Sequence, residues 1–387
     1  MKILFDYQAF EMQRVGGISR SYAELISHLY GEKCDCVVGI KESDNMYLQE
    51  KDMLLGIKPL HYRHKLFFGN KKRFKGQYAL TRKVLGLFGE RDDFLKINRN
   101  YCISLLKKNR FDVFEPTFFD SYFLPYLNNT PFVLTVHDMI PELFPEFFSR
   151  NDFQILQKRK LCPLASHIHV PSGKTKEDVV NILGVLPEKI TVIPHGRPEY
   201  QDDDCLQQPV FDFPYILYVG DRFGYKNYRI FIKECSAICK RFPEIRVVCT
   251  GKDFSVEELK EFDNLGIRGK VVHKFVNETA LRNLYHYALV FIYPSAYEGF
   301  GIPILEAFSN DCPVMLNDAS CFPEIAGDAA IYFDINKEGD LFEKFEDFYL
   351  SGTDFKETMK EKGRIRAGKY SWKRSAKMLK YIYESLI

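Results

Sequence analysis

Glu298-Gly299-Phe300-Gly301-Ile302-Pro303-Ile304-Leu305-Glu306, EGFGIPILE, sets two carboxylates eight residues apart around two glycines and a proline. Just upstream, Val290-Phe291-Ile292-Tyr293 is a short β-branched and aromatic run that stops at Pro294, the pattern of a buried strand. Pro303 suits the first turn of a helix, where its missing N–H is not needed. Asn310-Asp311 and Pro313 end that helix. The local plan is strand, glycine loop, helix N-terminus, with Glu298 in the loop and Glu306 in the first turns of the helix.

Such a plan gathers free backbone N–H groups and the positive end of a helix dipole at one spot, which suits phosphate. Gly299 and Gly301 let the backbone approach a ligand closely. Carboxylates beside a bound phosphate repel it unless they face hydrogen-bond donors. Sugar hydroxyls are such donors, and a nucleotide sugar carries them on both sides of its diphosphate. Two glutamates flanking a phosphate cradle therefore suggest a nucleotide-sugar site. A plain strand-to-helix turn, with Glu298 solvated and Glu306 favouring the helix start, is the other reading of these nine residues.

Around this stretch, strand-like and helix-like segments alternate twice over. KILFDYQ, CDCVVGI, FDVFEPT, PFVLTVHD, HIHVPS and ITVIPHG are strand candidates of a first half, with ISRSYAELISHLY and SGKTKEDVVNILG among its helices. PYILYVGD, IRVVCTGK, KVVHKFV, ALVFIYPS, CPVMLND and AAIYFD repeat the pattern. Alternation of this kind argues for α/β architecture with parallel sheets covered on both faces. Ligands of such folds bind beyond the carboxyl ends of the strands. GRPEYQDDDCLQQPVFDFP, polar and proline-bearing, reads as the linker between the halves. Its Asp202-Asp203-Asp204 reads as a solvated loop rather than a metal site. A length of 387 residues also exceeds one ordinary domain. Two doubly wound domains facing a cleft is the expected architecture.

Composition closes off several classes. A net charge of +2 does not mark the chain as a nucleic-acid binder. The ten cysteines include no CxxC pair, so reduced, buried thiols are expected instead of a zinc site. MKILFDYQAF lacks an apolar h-region, and no run approaches eighteen apolar residues, so a cytoplasmic protein without signal peptide or membrane span is expected. HExxH, an EF-hand loop, GxxxxGK[ST], GxSxG and a GxGxxG after the first strand are all missing, against hydrolases, calcium and P-loop proteins and classical dinucleotide dehydrogenases.

Three other strand ends carry polar chemistry. Arg14-Val15-Gly16-Gly17-Ile18-Ser19-Arg20 opens a helix on a glycine pair, suited to phosphate or an acceptor, or simply to a tight turn. His137-Asp138 follows a buried strand and could meet a sugar hydroxyl, or cap locally. Asp221-Arg222-Phe223-Gly224-Tyr225-Lys226-Asn227 sets two cations in a glycine loop, where they could neutralise a diphosphate leaving group.

Taken together, EGFGIPILEA with YPSAY before it and CPVMLNDASCFPEIAGDAAIYFD after it, GGISR, TVHDMIPELFPE, VIPHG and YVGDRFGYKN resemble the retaining glycosyltransferases of family 4. The resemblance runs nearly end to end and is weakest over about residues 45–110. It implies a GT-B fold of two Rossmann-like domains: residues 1–196 for the acceptor, 197–370 for the nucleotide-sugar donor, and a helix over 371–387 crossing back to the first. It also implies roles. Glu298 contacts the donor sugar, with backbone N–H groups of Gly299, Phe300, Gly301 and Ile302 on sugar and phosphate. Glu306 holds the ribose hydroxyls, and Lys226 pairs with the diphosphate, which Gly16 and Gly17 approach from the first domain. His137 sits near the transferred sugar, and Val276 lies where the base is held. No metal and no cofactor is implied.

Two positions depart from that family. Its diphosphate arginine commonly stands where this chain has Asp221 or Tyr225, leaving Arg222 between them as the candidate cation. Glu115-Pro116-Thr117 stands where HPT is common, a change expected to alter acceptor contacts. The resulting expectation is a metal-independent, retaining hexosyltransferase using a nucleotide-diphosphate sugar, with GDP-mannose favoured, on a saccharide or lipid-linked saccharide in cell-surface polysaccharide biosynthesis. A transfer-inactive nucleotide-sugar binding protein and a nucleotide-sugar epimerase are the alternatives. Residues 58–83 carry nine Lys or Arg, no Asp or Glu, and interleaved aromatics, the composition of a solvated loop or of a peripheral contact with the inner face of a membrane.

Overall fold

The computed structural model describes residues 1–50, 57, 96–108, 110–200 and 208–387. The basic run at 58–83 and Asp202-Asp203-Asp204 lie outside the described residues.

Each strand expected from an apolar run is present. The first domain holds β1 (Lys2–Phe5), β2 (Asp35–Val38), β3 (Val113–Glu115), β4 (Val133–Thr135), β5 (His167–Val170) and β6 (Ile190–Val192). Parallel pairing gives the orders β2-β1-β3 and β4-β5-β6, joined by a parallel bridge between Phe114 and Phe132. The second domain holds β7 (Tyr215–Tyr218), β8 (Arg246–Cys249), β9 (Val271–His273), β10 (Val290–Tyr293), β11 (Val314–Asn317) and β12 (Ile331–Phe333). They form one parallel sheet ordered β12-β11-β10-β7-β8-β9. Every residue of β7, β10 and β11 is buried, as expected of strands covered on both faces.

This order places the reversal of chain direction across the sheet between β7 and β10. At such a switch point the loops leaving the two strands diverge and open a crevice. The loop after β7 carries Arg222 and Lys226; the loop after β10 is EGFG. Sheet topology thus brings the two singled-out loops to one place.

The chain ends its second domain with the helix Thr353–Ala367 and then returns. The helix Trp372–Ser385 packs on the helix Gly17–Gly31, and Trp372, Ala376, Leu379, Ile382 and Tyr383 join the first domain's core. Gly196 makes room for this return, since a Cβ there would stand 2.2 Å from the Trp372 nitrogen. Deeper in, the Tyr383 hydroxyl donates to Glu115, whose other oxygen lies 3.1 Å from Thr135 Oγ1 and 3.1 Å from His169 Nε2. Glu115 is therefore a buried strut between β3, β5 and the returning helix. Glu115 is fully buried, so any effect of this departure on acceptor contacts would pass through the packing around it.

The nine cysteines among the described residues are free and buried, as expected of reduced thiols. Tyr383→Phe strips a buried carboxylate of one donor, so it should cost about 1–3 kcal/mol of stability. Urea unfolding followed by far-UV circular dichroism checks this; an unchanged midpoint would show that Glu115 needs no help from the returning helix.

Candidate functional site

Gly301, at a left-handed φ of 93°, caps the helix Ile302–Ser309, with Pro303 in its first turn. The loop before it is clasped by the first domain. Ser172 Oγ and Thr175 Oγ1 donate to the Gly299 carbonyl at 2.7 and 3.2 Å. Tyr297 donates to Asp178 at 2.7 Å, and Glu324 caps the helix Gly173–Leu183 by accepting from Gly173 N at 2.8 Å. On the other side, Ser320 and Cys321 hydrogen-bond the Glu298 carbonyl, and Cys321 reaches that of Phe300. The loop's carbonyls are thus committed to the protein. Gly299 lies so close to the first domain that a Cβ would stand 1.8 Å from the His137 carbonyl. That contact, more than any turn geometry, explains why glycine stands there.

Glu298 is drawn mostly out of water and ion-pairs with Lys226, which also stands beside the ring faces of Tyr225 and Tyr293. Lys226 lies in a single turn of 3-10 helix, with Asn227 in the left-handed region starting the next helix. Glu306, eight residues on from Glu298, is held as well. Arg20 donates to its Oε1 at 2.8 Å, and the Tyr285 hydroxyl to its Oε2 at 3.1 Å. Arg20 comes from the helix Gly17–Gly31 of the first domain and also reaches Glu278 at 2.9 Å. Burial opposes the guanidinium's charge, but Glu306 and then Glu278 outweigh it and raise its pKa above the ordinary arginine value. Each glutamate of the pair therefore meets a cation.

His137 lies at the same place from the first domain. Its ring is edge-on to Tyr22 at 5.8 Å and stacked with His195 at 6.4 Å, and its Nε2 is shielded without a hydrogen-bond partner. Burial, with His195, His169 and Lys158 nearby, lowers its pKa well below 6.5, so the imidazole is neutral at pH 7. Burial likewise lowers His195 to about 3. A cavity of about 10 Å³, room for one water, adjoins Tyr22, Thr135, His137, His169, His195 and Trp372. The following segment is anchored by buried Lys158, which donates to the Asp138 carbonyl at 3.1 Å and to Glu142 at 2.7 Å.

Among the other expected residues, Gly17 faces Ile302 across the cleft, 3.8 Å separating a Cβ built there from Ile302 Cδ1. Gly16 caps the helix Gly17–Gly31. Phe300 is buried edge-on against His195 at 4.9 Å, joining the domains with its ring. Val276 packs on the second domain's core just before the N-cap Asn277.

Arg222, expected as a cation beside the diphosphate, is paired with a different carboxylate. Its guanidinium turns away from Lys226 and bonds Glu258 Oε1 at 2.5 Å and the carbonyls of Lys252 and Asp253 at 2.7 and 3.0 Å. Tyr228 and Phe254 enclose it. Glu258 closes the capping box of the helix Val256–Leu265, so Arg222 is bound into the strand-end scaffold. Sequence reasoning missed Arg20 as a site residue, although GGISR was singled out. The missing signal is its partner, 286 residues away.

Residues 15–198 match the model of Glycosyltransferase Family 4, and residues 207–366 that of Glycosyl transferases group 1. The O-antigen chain mannosyltransferase RfbU of Salmonella typhimurium is 30% identical over 221 residues, 56% of this chain and 59% of that protein. The O-antigen chain mannosyltransferase B of Escherichia coli is 34% identical over 259 residues, 62% of this chain and 66% of that protein. Both matches span less than two thirds of the relative's own length. Among solved structures, Anabaena Alr3699/HepE in complex with UDP-glucose superposes with a TM-score of 0.71 at 16% identity, covering 100% of both chains. The two family models lie one on each domain over the GT-B architecture, so along both halves the chain is similar to GT4-type glycosyltransferases.

Proposed function

We propose that this chain transfers a sugar, mannose in the first instance, from a nucleotide-diphosphate donor to a saccharide or lipid-linked saccharide during cell-surface polysaccharide assembly. The carrying observation is the convergence of Glu298, Lys226, His137 and Glu306 on one interdomain loop that both domains clasp. The relatives named as O-antigen mannosyltransferases support the sugar and the setting. GDP-mannose is the donor favoured.

In this reading Glu298 and Glu306 exchange their cations for hydroxyls, of the donor sugar and of the ribose. Lys226, released from Glu298, turns to the diphosphate and gains most as the glycosidic bond breaks and charge builds on the leaving group. Neutral His137 offers a ring nitrogen to a sugar hydroxyl without adding a charge. Retention follows from a front-face displacement, in which the leaving diphosphate accepts the acceptor's proton. Catalysis is then positioning plus stabilisation of the leaving group, with cations and helix ends serving where other enzymes use a divalent ion. Among the described residues no cluster of three His, Cys, Asp or Glu could hold a metal. Arg222, fixed on Glu258, takes no part.

Glu306→Ala should weaken nucleotide-diphosphate binding by roughly ten- to a hundredfold, the loss of a charge-assisted hydrogen bond worth on the order of 1.5–3 kcal/mol. Calorimetric titration with GDP measures it, and unchanged affinity would remove the ribose assignment. Lys226→Ala should lower kcat by about a hundredfold with less effect on donor binding, as for loss of one stabilising group in a transition state. A variant raised only in KM makes Lys226 a ground-state anchor. Transfer from GDP-mannose should survive EDTA; loss restored by magnesium or manganese contradicts the metal-free mechanism. Turnover to a C2 epimer without an acceptor favours the epimerase, and binding without any turnover favours the transfer-inactive alternative.

A further inference from the structure

His137 and the EGFG loop close a circuit of contacts through His195. The His137 carbonyl lies against Gly299, where a Cβ would stand 1.8 Å from it. Phe300, the next residue, meets the His195 ring edge-on at 4.9 Å and 76°. His195 in turn is stacked with the His137 ring at 6.4 Å and 29°. A further neighbour of His195 is Trp372, at 5.4 Å, the first residue of the returning helix. Gly196, next in sequence to His195, is pressed against the Trp372 nitrogen, which fixes the backbone that carries the imidazole. One ring thus touches His137 of the first domain, Phe300 of the second and the helix that crosses between them.

The torsion that turns an imidazole is soft, so a histidine's ring plane is set by what the ring touches. At His137 no hydrogen bond sets it from Nε2, which has no partner among the described residues. Ring contacts are what hold it: Tyr22, edge-on at 5.8 Å and 87°, and His195. Both pairs lie in the range where aromatic rings prefer a defined geometry. The Tyr22 hydroxyl is anchored on Thr135 at 2.8 Å, and His195 is anchored by Phe300 and Trp372. Burial keeps both imidazoles uncharged, so they stack without repulsion.

We propose that His195 is a positioning residue, which holds the ring plane of His137 and ties that plane to the EGFG loop through Phe300. This rests on the reading of His137 as a group that meets the transferred sugar. His195 is itself buried and acts through His137. Misplacing a reacting group by about 1 Å can cost roughly a hundredfold in rate, so the effect belongs to turnover more than to donor affinity.

The test is steady-state kinetics on the full chain with GDP-mannose and UDP-glucose as donors and methyl α-mannoside as acceptor, reading release of the nucleoside diphosphate. Whichever donor the unmodified protein turns over is carried forward. His195→Leu, which removes the ring, should lower kcat by about ten- to a hundredfold and change KM for the donor by less than about threefold. His195→Phe, which restores a ring without nitrogens, should recover most of that loss. In a His137→Gln background His195→Leu should add nothing, because an effect passed through His137 has no route left. His195→Asn, also ringless, replaces His195→Leu if the latter loses the far-UV circular dichroism of the unmodified protein. An unchanged kcat, a loss of equal size with and without His137, or a His195→Phe no faster than His195→Leu overturns the proposal. His137→Gln alone separates the two readings: if it transfers as fast as the unmodified protein, the reading of His137 fails and the positioning role goes with it. If His137→Gln is slow while His195→Leu is fast, only the positioning role fails. A protein that turns over neither donor overturns both.

Discussion

Two carboxylates drawn mostly out of water, on one loop and the helix it opens, set the terms for this protein. An uncompensated charge in such a position is strongly destabilising, and the surroundings are built to compensate it. Glu298 meets Lys226 from the neighbouring strand end, and Glu306 meets Arg20 from the other domain. The β7/β10 switch point supplies the first cation by sheet topology. The second requires two domains to meet, and the clasp of Ser172 and Thr175 on the Gly299 carbonyl shows that they do. Fold, interdomain packing and ligand chemistry are therefore linked through the same nine residues.

The electrostatics around this pair are graded. His137, His169 and His195 gather on the first domain's side, where burial keeps His137 and His195 uncharged at neutral pH. Positive charge is concentrated instead in Lys226 and Arg20, each already countered. Under the proposed function a diphosphate would enter this cleft by rearranging existing ion pairs.

Much of this was legible in the residue order, for identifiable reasons. Period and punctuation reveal buried parallel strands, and all twelve expected runs became strands. Glycine and proline at strand ends mark where backbone turns sharply, which located EGFG, GGISR and RFGYK. Side-chain direction was not legible. Arg222 and Lys226 stand four residues apart in one loop, yet one faces the cleft and the other is drawn to Glu258, 36 residues on. Glu115 was visible as a departure from HPT, but its partner Tyr383 is 268 residues away. Arg20 escaped notice for the same reason. Contacts between domains leave no mark on local spacing.

The return of the helix Trp372–Ser385 has a consequence for biogenesis. Its apolar face completes a core whose strands all precede residue 193, so the amino-terminal half leaves the ribosome well before the piece that seals it. Domains made first generally fold first during synthesis, whereas here the order of translation and the order of completion are opposed. Until the second domain has been made and its last helix delivered, the groove beside the helix Gly17–Gly31 stays open, with Glu115 short of its phenolic donor. A nascent chain in that interval presents an apolar groove of the kind that molecular chaperones recognise.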